Sequence, residues 1–344
     1  MLGISIENLL AFDEEDLIDF SIPSASDNLR VDRVISMITG SSRSRVVTEI
    51  ENCRVFLNGR PVNNRSLKVR QDEKLSFPNS LLLPSEVEPL VPDANVHLDI
   101  VYEDAHLIVI NKSPGIVVHP GVGVSKGTLS AGLLYSYPEL ATIGPPERPG
   151  IVHRLDRPTS GLLVIARDEL AYESLSEQMR LHSATRRYFA IVHGTIDPKS
   201  ATLEGEIGKA RNGIAKMQIT SQGKFARTHY DCVGTLETDQ KELSVVTVTL
   251  DTGRTHQIRV HMSSYGNPVL GDALYGSRMT FDGRIALHAY ELSFTHPQFD
   301  RQITITIPIA PEIISFIDAS ECTSGSGAIN DFIQGSKDPV IAWD

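Results

Sequence analysis

The sequence predicts an α+β protein with two domains. The chain of 344 residues has 41% hydrophobic residues, enough for more than one core, because a single domain usually holds about 100–200 residues. Strand-like runs of β-branched residues are interspersed with segments of helical periodicity along the chain. Four prolines within residues 78–92 mark a boundary between a short and a long part, since each fixes φ and removes a backbone donor.

The chain divides into five predicted segments on composition and hydrophobic pattern. These are an acidic arm (1–14), a small domain (15–80), a proline-containing linker (81–94), a large domain (95–310) and an acidic, flexible tail (311–344). The tail is assigned as flexible because it is acidic and bears glycine and serine.

The small domain has a distinct pattern of short elements. Apolar residues recur at helical spacing in LRVDRVISMI and again in SRSRVVTEIENC, which predicts two short helices. Asn58-Gly59 lies between two strand-like runs, the strongest short signal for a β-hairpin, and KLSF supplies a further strand. The sequence therefore predicts a compact module of two helices followed by strands.

The same segment is basic although the chain as a whole is acidic. The formal net charge is −11, yet residues 27–80 carry ten basic and six acidic side chains, and eight of the ten are arginine. Arginine forks bind phosphate oxygens well. This pattern favours a nucleic-acid contact, with an ordinary solvated charged face as the alternative.

Several function classes are excluded by what the sequence lacks. No apolar run approaches the ~20 residues of a membrane helix, and no basic, then apolar leader begins the chain. We therefore expect a cytoplasmic protein with no membrane partner. The three cysteines form no CxxC pair, and His256 and His261 lack a third ligand, so no metal is expected. Dinucleotide, phosphate-loop and HExxH motifs are also missing.

Two segments of the large domain carry chemistry-bearing residues. His153-Arg154-Leu155-Asp156-Arg157 precedes an apolar strand, a common place for catalytic side chains, although a carboxylate between arginines also fits a plain ion pair. LDTGRTHQIRVHM predicts a strand, a glycine turn and a helix on which His256 and Arg259 share a face. Arg259 lies between apolar residues, and a buried arginine requires a carboxylate partner.

These segments carry a family resemblance. HRLD with SGLLVIA after it, RRYFAIVHG, and LDTGRTHQIRVHM with GDALYG resemble the RluA-type pseudouridine synthases over most of residues 95–310. The small domain resembles the alpha-L RNA-binding domain through LRVDRVI, SRSRV and CRVFLNGRPV. The first resemblance implies a catalytic domain on a mixed, largely antiparallel β-sheet, with Asp156 as catalytic aspartate, Tyr188 as active-site tyrosine and Arg259 as the partner of the aspartate. It also implies that Arg154 helps to displace the target base.

The implied reaction needs no cofactor. Isomerising uridine breaks the N1–C1′ bond and joins C5 to C1′ without net redox change. An ionised carboxylate serves either as nucleophile at C1′ or as base at C2′, and a tyrosine stacks on uracil or assists proton removal from C5; the sequence does not separate these roles. The alpha-L domain in front of the catalytic domain is the arrangement of the family's large-subunit members, so the resemblance implies that the RNA is large-subunit ribosomal RNA, or its precursor, rather than transfer RNA. The resemblance also implies a monomer.

RNA contacts are predicted in two places. In the small domain the resemblance and the local charge nominate Arg33, Arg43, Arg45 and Arg54. In the large domain a basic stretch nominates Lys209, Arg211, Lys216, Lys224 and Arg227.

Two other classes of function stay open at this point. One is a non-catalytic RNA-binding or assembly factor with the same fold, against which the intact set of Asp156, Tyr188 and Arg259 argues. The other is a nucleosidase or glycoside hydrolase, which needs a second free acid at a suitable distance.

Overall fold

The computed structural model describes residues 17–41, 43–82, 90–121, 124, 126–210, 216–239, 241–335 and 338–344. The chain forms two compact units, divided between Pro89 and Leu90. The predicted acidic arm and residues 83–89 of the predicted linker lie outside the described part. No helix among the described residues is long and apolar enough to cross a lipid bilayer.

The first unit packs two helices against a small antiparallel sheet. Its elements are β1 (Leu17–Ser21), α1 (Val31–Thr39), α2 (Arg43–Glu51), β2 (Phe56–Leu57), β3 (Arg60–Pro61) and β4 (Lys74–Pro78). The strand order is β1-β4-β2-β3. Val34 and Ile35 of α1 and Val46 of α2 are fully buried against Leu75 and Phe77 of β4. The helical spacing of the apolar residues thus places them on one face, toward the sheet.

The two helices, the hairpin and the last strand of this unit confirm the sequence-based prediction, whereas β1 was not predicted. Asn58 and Gly59 both have positive φ, at 50° and 75°. A two-residue hairpin turn of this hand requires positive φ at both central positions, which Asn-Gly adopts at low cost.

The second unit is built on one large sheet. Its strands are β5 (Ile100–Glu103), β6 (Leu107–Lys112), β7 (Ser160–Ala166), β8 (Thr185–His193), β9 (Ser200–Lys209), β10 (Met217–Ile219), β11 (Lys224–Thr238), β12 (Lys241–Leu250), β13 (Leu287–Thr295), β14 (Gln302–Thr306), β15 (Glu321–Ser324) and β16 (Val340–Trp343). Its helices are α3 (Leu129–Ser136), α4 (Glu169–Leu181), α5 (Gln257–Ser264), α6 (Pro311–Asp318) and α7 (Ser326–Gln334).

The sheet is mixed and largely antiparallel, as the resemblance implied. Its main path runs β10-β9-β11-β12-β8-β13-β7-β6-β5. Among the described strands only β13 and β7 pair in parallel. This pair joins the start of β7, next to Asp156, to the centre of the sheet.

Strand β8 lies in the middle of the sheet and is buried on both faces. Tyr188, Ala190 and Val192 contribute to one hydrophobic cluster, and Phe189 and Ile191 contribute to another. Successive side chains of a strand point to opposite faces. Tyr188 therefore faces the same side as the loop that carries Asp156.

The prediction of a flexible C-terminal tail is wrong for the described part of residues 311–344. Strand β15 pairs with β11, β16 pairs with β14, and α6 and α7 flank them. Ile313 and Ile317 of α6 and Ile329 of α7 are buried in the same cluster as Phe189. The acidic, glycine-bearing composition concealed a helical i, i+4 apolar pair that covers the second face of the sheet.

Candidate active site

Asp156 lies in a loop that leads into β7 and opens on a cavity of about 410 Å³. Leu155, which is 6% exposed, anchors the loop in the core, and the Thr159 amide closes a turn on the Asp156 carbonyl at 3.1 Å. The Asp156 side chain is 19% exposed. The loop thus holds a carboxylate at the wall of a pocket, with part of its surface accessible to a ligand.

Arg259 of α5 joins Asp156 to a second carboxylate. Its Nη1 donates to Asp156 Oδ2 at 3.2 Å, while its Nε and Nη2 donate to Asp272 at 2.6 and 2.9 Å. Asp272 is 1% exposed and Arg259 is 5% exposed. Burial opposes the guanidinium charge, but the bonds and charges of the two carboxylates outweigh it and raise the pKa of Arg259. The bidentate fork with Asp272 leaves one edge of the guanidinium for Asp156.

His256 approaches Asp156 from outside the helix. The prediction that His256 and Arg259 share a helical face is wrong, because His256 is the N-cap of α5 and has a left-handed conformation with φ of 57°. Its Nε2 lies 4.0 Å from Asp156 Oδ1, and its Nδ1 bonds the Tyr275 hydroxyl at 2.8 Å. Burial lowers the pKa of His256, and the nearby Asp156 only partly opposes this shift. A neutral imidazole therefore faces the carboxylate at neutral pH.

Tyr188 lines the same cavity as Asp156 and is 6% exposed. Burial raises the pKa of the phenol, and the Arg186 charge, which opposes this shift, does not cancel it. The hydroxyl is therefore protonated at neutral pH.

Arg154 lies at the exposed side of the cavity, where its Nη2 donates to the Thr255 hydroxyl. The structure thus brings the four residues nominated for the reaction to the wall of one cavity: Arg154, Asp156, Tyr188 and Arg259.

Sequence reasoning missed the residues that support Arg259. Asp272 and Tyr275 belong to GDALYG, a motif used only for its resemblance. The Tyr275 ring lies 4.9 Å from the guanidinium carbon of Arg259 and also holds His256. The expectation that Arg259 needs a carboxylate was the available signal, but it pointed to Asp156 alone.

Lys112, at the end of β6, was also missed. It is 2% exposed, and its Nζ donates to the carbonyls of Ser113 at 2.8 Å, Ile116 at 3.1 Å and Arg157 at 3.4 Å. Burial lowers the pKa of Lys112 to about 7. The lysine therefore ties the loop of Asp156 to the segment that follows β6.

The basic residues nominated on the second unit differ in their surroundings. Lys209 and Lys224 are exposed, and the Lys216 ammonium lies 5.2 Å from the Tyr275 ring, next to the site. Arg227 is paired with Glu204 at 2.6 Å and Asp251 at 3.6 Å, which offsets its charge. Arg211 lies outside the described residues.

The arginines nominated on the first unit lie on or beside its two helices. Arg33 belongs to α1, and Arg43 begins α2. Arg45 donates to the Ser80 carbonyl at 2.5 Å, and Arg54 pairs with Glu49 at 3.4 Å. At least Arg45 and Arg54 therefore also stabilise the unit itself.

Comparisons with known proteins agree with this fold. A family model described as RNA pseudouridylate synthase matches residues 106–264. The chain is 36% identical over 305 residues to an uncharacterized RNA pseudouridine synthase of Bacillus subtilis, covering 88% of this chain and 97% of that protein. It is 40% identical over 293 residues to ribosomal large subunit pseudouridine synthase D of Zymomonas mobilis, covering 80% of this chain and 88% of that protein.

A solved structure has the same fold. Human RNA pseudouridylate synthase domain containing 1 matches with a TM-score of 0.55 and 27% identity, over 72% of this chain and 99% of the human one. The fold and the matches define the class of protein, an RNA pseudouridine synthase, which is an isomerase. Within this class the chain belongs to the RluA family.

Proposed function

We propose that the protein isomerises specific uridines of large-subunit ribosomal RNA, or of its precursor, with Asp156 as the catalytic carboxylate and without a cofactor. The observation that carries the proposal is the Asp156–Arg259 pair, 3.2 Å apart, at the wall of a cavity that Tyr188 also lines. The Zymomonas relative, which is named for the large ribosomal subunit, supports this choice of RNA.

Asp156 has the environment that the reaction requires. The carboxylate must stay ionised while RNA excludes water from the cavity, and Arg259 supplies the compensating charge at 3.2 Å. It then either attacks C1′ and displaces uracil through N1, or removes the C2′ proton as the N1–C1′ bond breaks. After the base turns, C5 bonds to C1′ as the Asp156–C1′ ester bond breaks in the first route, or as the proton returns to C2′ in the second. The C5 proton is lost and N1 gains one, so atoms and charge balance.

Tyr188 acts on the uracil ring. Because its pKa is raised, the hydroxyl is protonated before substrate binds. This supports stacking against the base and a relay of the C5 proton rather than a resting phenolate. Arg154, at the exposed side of the cavity, fills the place that the target base leaves when it is extruded.

Phosphate contacts offset the free energy needed to extrude the base, which is a few kcal/mol. We assign them to the basic side chains of the first unit, which we interpret as an alpha-L RNA-binding domain, and to Lys209, Lys216 and Lys224. We propose that the protein acts as a monomer.

The nucleosidase alternative has little support from the geometry. It needs two carboxylates that are free to act as acid and base. At this site the second carboxylate, Asp272, is 1% exposed and holds Arg259 through two hydrogen bonds.

The experiment that tests the function is pseudouridine mapping by carbodiimide-dependent primer-extension stops. Large-subunit RNA is compared between cells with the wild-type protein, Asp156→Asn, and Asp231→Asn as a matched exposed control on β11. We expect stops at particular uridines in the wild type and the control that are absent in Asp156→Asn. Stops lost only from transfer RNA would contradict the choice of RNA, and an unchanged map of both RNAs would favour the assembly factor. Release of free uracil would favour the nucleosidase.

A further inference from the structure

His256, the N-cap residue of α5, presents a hydrogen-bonding atom without a partner beside Asp156. Its Nε2 lies 4.0 Å from Asp156 Oδ1, which is too long for a hydrogen bond. Nε2 makes no hydrogen bond with the described residues, and it is not buried, unlike the Nδ1 atom of His153, which also lacks a partner. The side chains of His256 and Asp156 both line the cavity and are 18% and 19% exposed. Nε2 is therefore accessible to a ligand that fills the cavity.

The hydroxyl of Tyr275 determines which nitrogen of His256 carries the hydrogen. The backbone amide of Met217, at the start of β10, donates to the Tyr275 hydroxyl oxygen at 2.9 Å. The hydroxyl hydrogen has one acceptor among the described residues, the Nδ1 atom of His256 at 2.8 Å. A neutral imidazole that accepts a hydrogen bond at Nδ1 carries its own hydrogen on Nε2. The atom beside Asp156 is therefore a donor.

The same contacts hold the imidazole ring in place before a ligand binds. The rings of His256 and Tyr275 meet edge to face, with centroids 5.6 Å apart and an interplanar angle of 87°. The left-handed conformation of His256 starts α5, the helix that carries Arg259. A donor that is fixed in this way needs no reorganisation during a reaction, which is the condition for strong electrostatic stabilisation of a transition state.

The two side chains that reach the Asp156 carboxylate through nitrogen atoms are bound differently. Arg259 donates to Asp156 through Nη1 and to Asp272 through Nε and Nη2. The charge of Arg259 is thus committed to two carboxylates. The Nε2–H group of His256 has no such acceptor in the described part of the chain, so it is left for the substrate.

The reaction creates negative charge close to this donor. In either route open to Asp156, cleavage of the N1–C1′ bond leaves the electron pair on N1 of uracil. The charge spreads to O2 and O4, because both carbonyl groups are conjugated with N1. O2 is attached to the carbon next to N1, so it lies closer to C1′ than O4 does. A carboxylate that acts at C1′ or C2′ therefore has the O2 atom of the departing base nearby.

We propose that the Nε2–H group of His256 donates a hydrogen bond to O2 of the departing uracil. The inference rests on the proposed function, because it takes a uridine as the ligand of the cavity. The bond strengthens as the N1–C1′ bond breaks and negative charge collects on O2. No proton is transferred, since His256 keeps its hydrogen and the uracil anion is consumed when C5 bonds to C1′.

Two substitutions separate the donor from the contact with Tyr275. In His256→Gln the side-chain amide reaches the position of Nε2 and donates there. In His256→Asn the shorter amide reaches only toward Tyr275, and asparagine adopts the left-handed conformation readily. We expect kcat to fall by about 10²- to 10³-fold in His256→Asn, the effect of removing one donor to a charge that develops in the transition state. His256→Gln is expected to be about tenfold faster than His256→Asn.

Tritium release from a transcript of large-subunit ribosomal RNA, labelled at C5 of uracil, measures kcat and KM. KM should stay within about threefold of the wild type, because the bond is gained in the transition state rather than on binding. His229→Asn is the matched control, since His229 is a partly exposed histidine of β11 that does not line the cavity, and it should keep the wild-type kcat. Urea unfolding of each variant reports whether the fold is intact.

Tyr275→Phe tests the choice of tautomer. The ring beside Arg259 is kept and the hydroxyl is lost, so both tautomers of His256 become populated. We expect kcat to fall by about 2- to 10-fold, the effect of one hydrogen bond, and so by less than in His256→Asn. A larger loss in Tyr275→Phe than in His256→Asn would overturn the proposal.

A rate of His256→Asn close to the wild type, or a rate of His256→Gln no higher than that of His256→Asn, also overturns the proposal. These outcomes leave the proposed function standing as long as the wild type forms pseudouridine. If the wild type instead releases free uracil, and His256→Asn slows that release, the hydrogen bond to the departing base stands and the proposed function fails. If the wild type acts on neither ribosomal nor transfer RNA, both fail.

Discussion

Two buried arginines that line the candidate active-site cavity differ in how their charges are balanced. Arg259 is shared by Asp156 and Asp272, so the protein itself supplies both signs of charge. Arg186 forms no ion pair with a carboxylate among the described residues, and its buried Nε and Nη2 have no hydrogen-bond partner there. The comparison teaches that the fold balances the charge beside Asp156 from within, whereas the charge of Arg186 is left unbalanced by the described residues. Functional sites commonly keep such unfavourable groups at the expense of stability.

Asp156→Asn, which removes one carboxylate from Arg259, is expected to have the largest effect. The amide can neither attack C1′ nor accept the C2′ proton, so we expect single-turnover pseudouridine formation to fall by about 10⁴-fold or more. RNA affinity should stay within about threefold, because phosphate contacts dominate binding. Tritium release from RNA labelled at C5 of uracil measures the rate. Substantial turnover in this variant would contradict the role of Asp156.

Asp272→Asn tests whether the second carboxylate positions Arg259. The fork is weakened and the guanidinium gains freedom, so we expect kcat to fall by roughly 10²-fold with little change in KM. Loss of one partner of a buried pair should also lower the free energy of unfolding by about 3 kcal/mol. Glu204→Gln, which removes a carboxylate from an exposed arginine pair, is the control and should leave both quantities nearly unchanged. Equal effects of the two substitutions would contradict the role of Asp272 in positioning Arg259.

Tyr188→Phe separates the two tasks of the tyrosine. The ring is kept and the hydroxyl is lost, so we expect kcat to fall by about 10²-fold if the relay of the C5 proton limits the rate. Tyr188→Leu removes both the ring and the hydroxyl, so its kcat should fall further. Comparable rates for the wild type and Tyr188→Phe would leave stacking as the only contribution.

Burial of Lys112 is expected to make the free energy of unfolding depend on pH. Its pKa is about 7 in the folded protein, below the ordinary value of 10.5, so between these values the unfolded chain binds more protons. The free energy of unfolding should therefore rise with pH, by about 2 kcal/mol from pH 7 to pH 9, relative to Lys112→Met. Urea denaturation of both proteins at the two pH values measures the difference. Parallel curves would show that burial does not perturb this lysine.

The smallest expected effects concern the arginines of the first unit. Arg43→Gln should lower the salt slope of RNA binding by about 0.7 to 0.9 and affinity only slightly at low salt. Arg45 also donates to the Ser80 carbonyl, so Arg45→Gln should in addition reduce stability by about 1 kcal/mol. A slope that depends on neither arginine would argue against RNA binding by this unit.

Local patterns predicted much of the fold. The two helices predicted from LRVDRVISMI and SRSRVVTEIENC are α1 and α2, and the hairpin predicted at Asn58-Gly59 joins β2 to β3. Strands β6, β7, β8 and β12 were recognisable because each is a run of β-branched or apolar residues. The prediction of a flexible tail was wrong because the average composition of 34 residues obscured the few apolar positions that pack in the core. The prediction for His256 was wrong because helical spacing does not show where a left-handed N-cap residue begins the helix.

The sequence by itself determined the class of enzyme and the four residues that line the cavity, because each of these residues lies in a short contiguous motif that can be recognised from the sequence alone. Only the tertiary structure decided which charges are balanced. Asp272 meets Arg259 because the segment after α5 folds back onto the helix, and the guanidinium of Arg186 packs against Gly253 without an ion pair to a carboxylate among the described residues. Such contacts join residues far apart in the chain, and the free energy of a buried charge depends on its neighbours in space rather than in sequence.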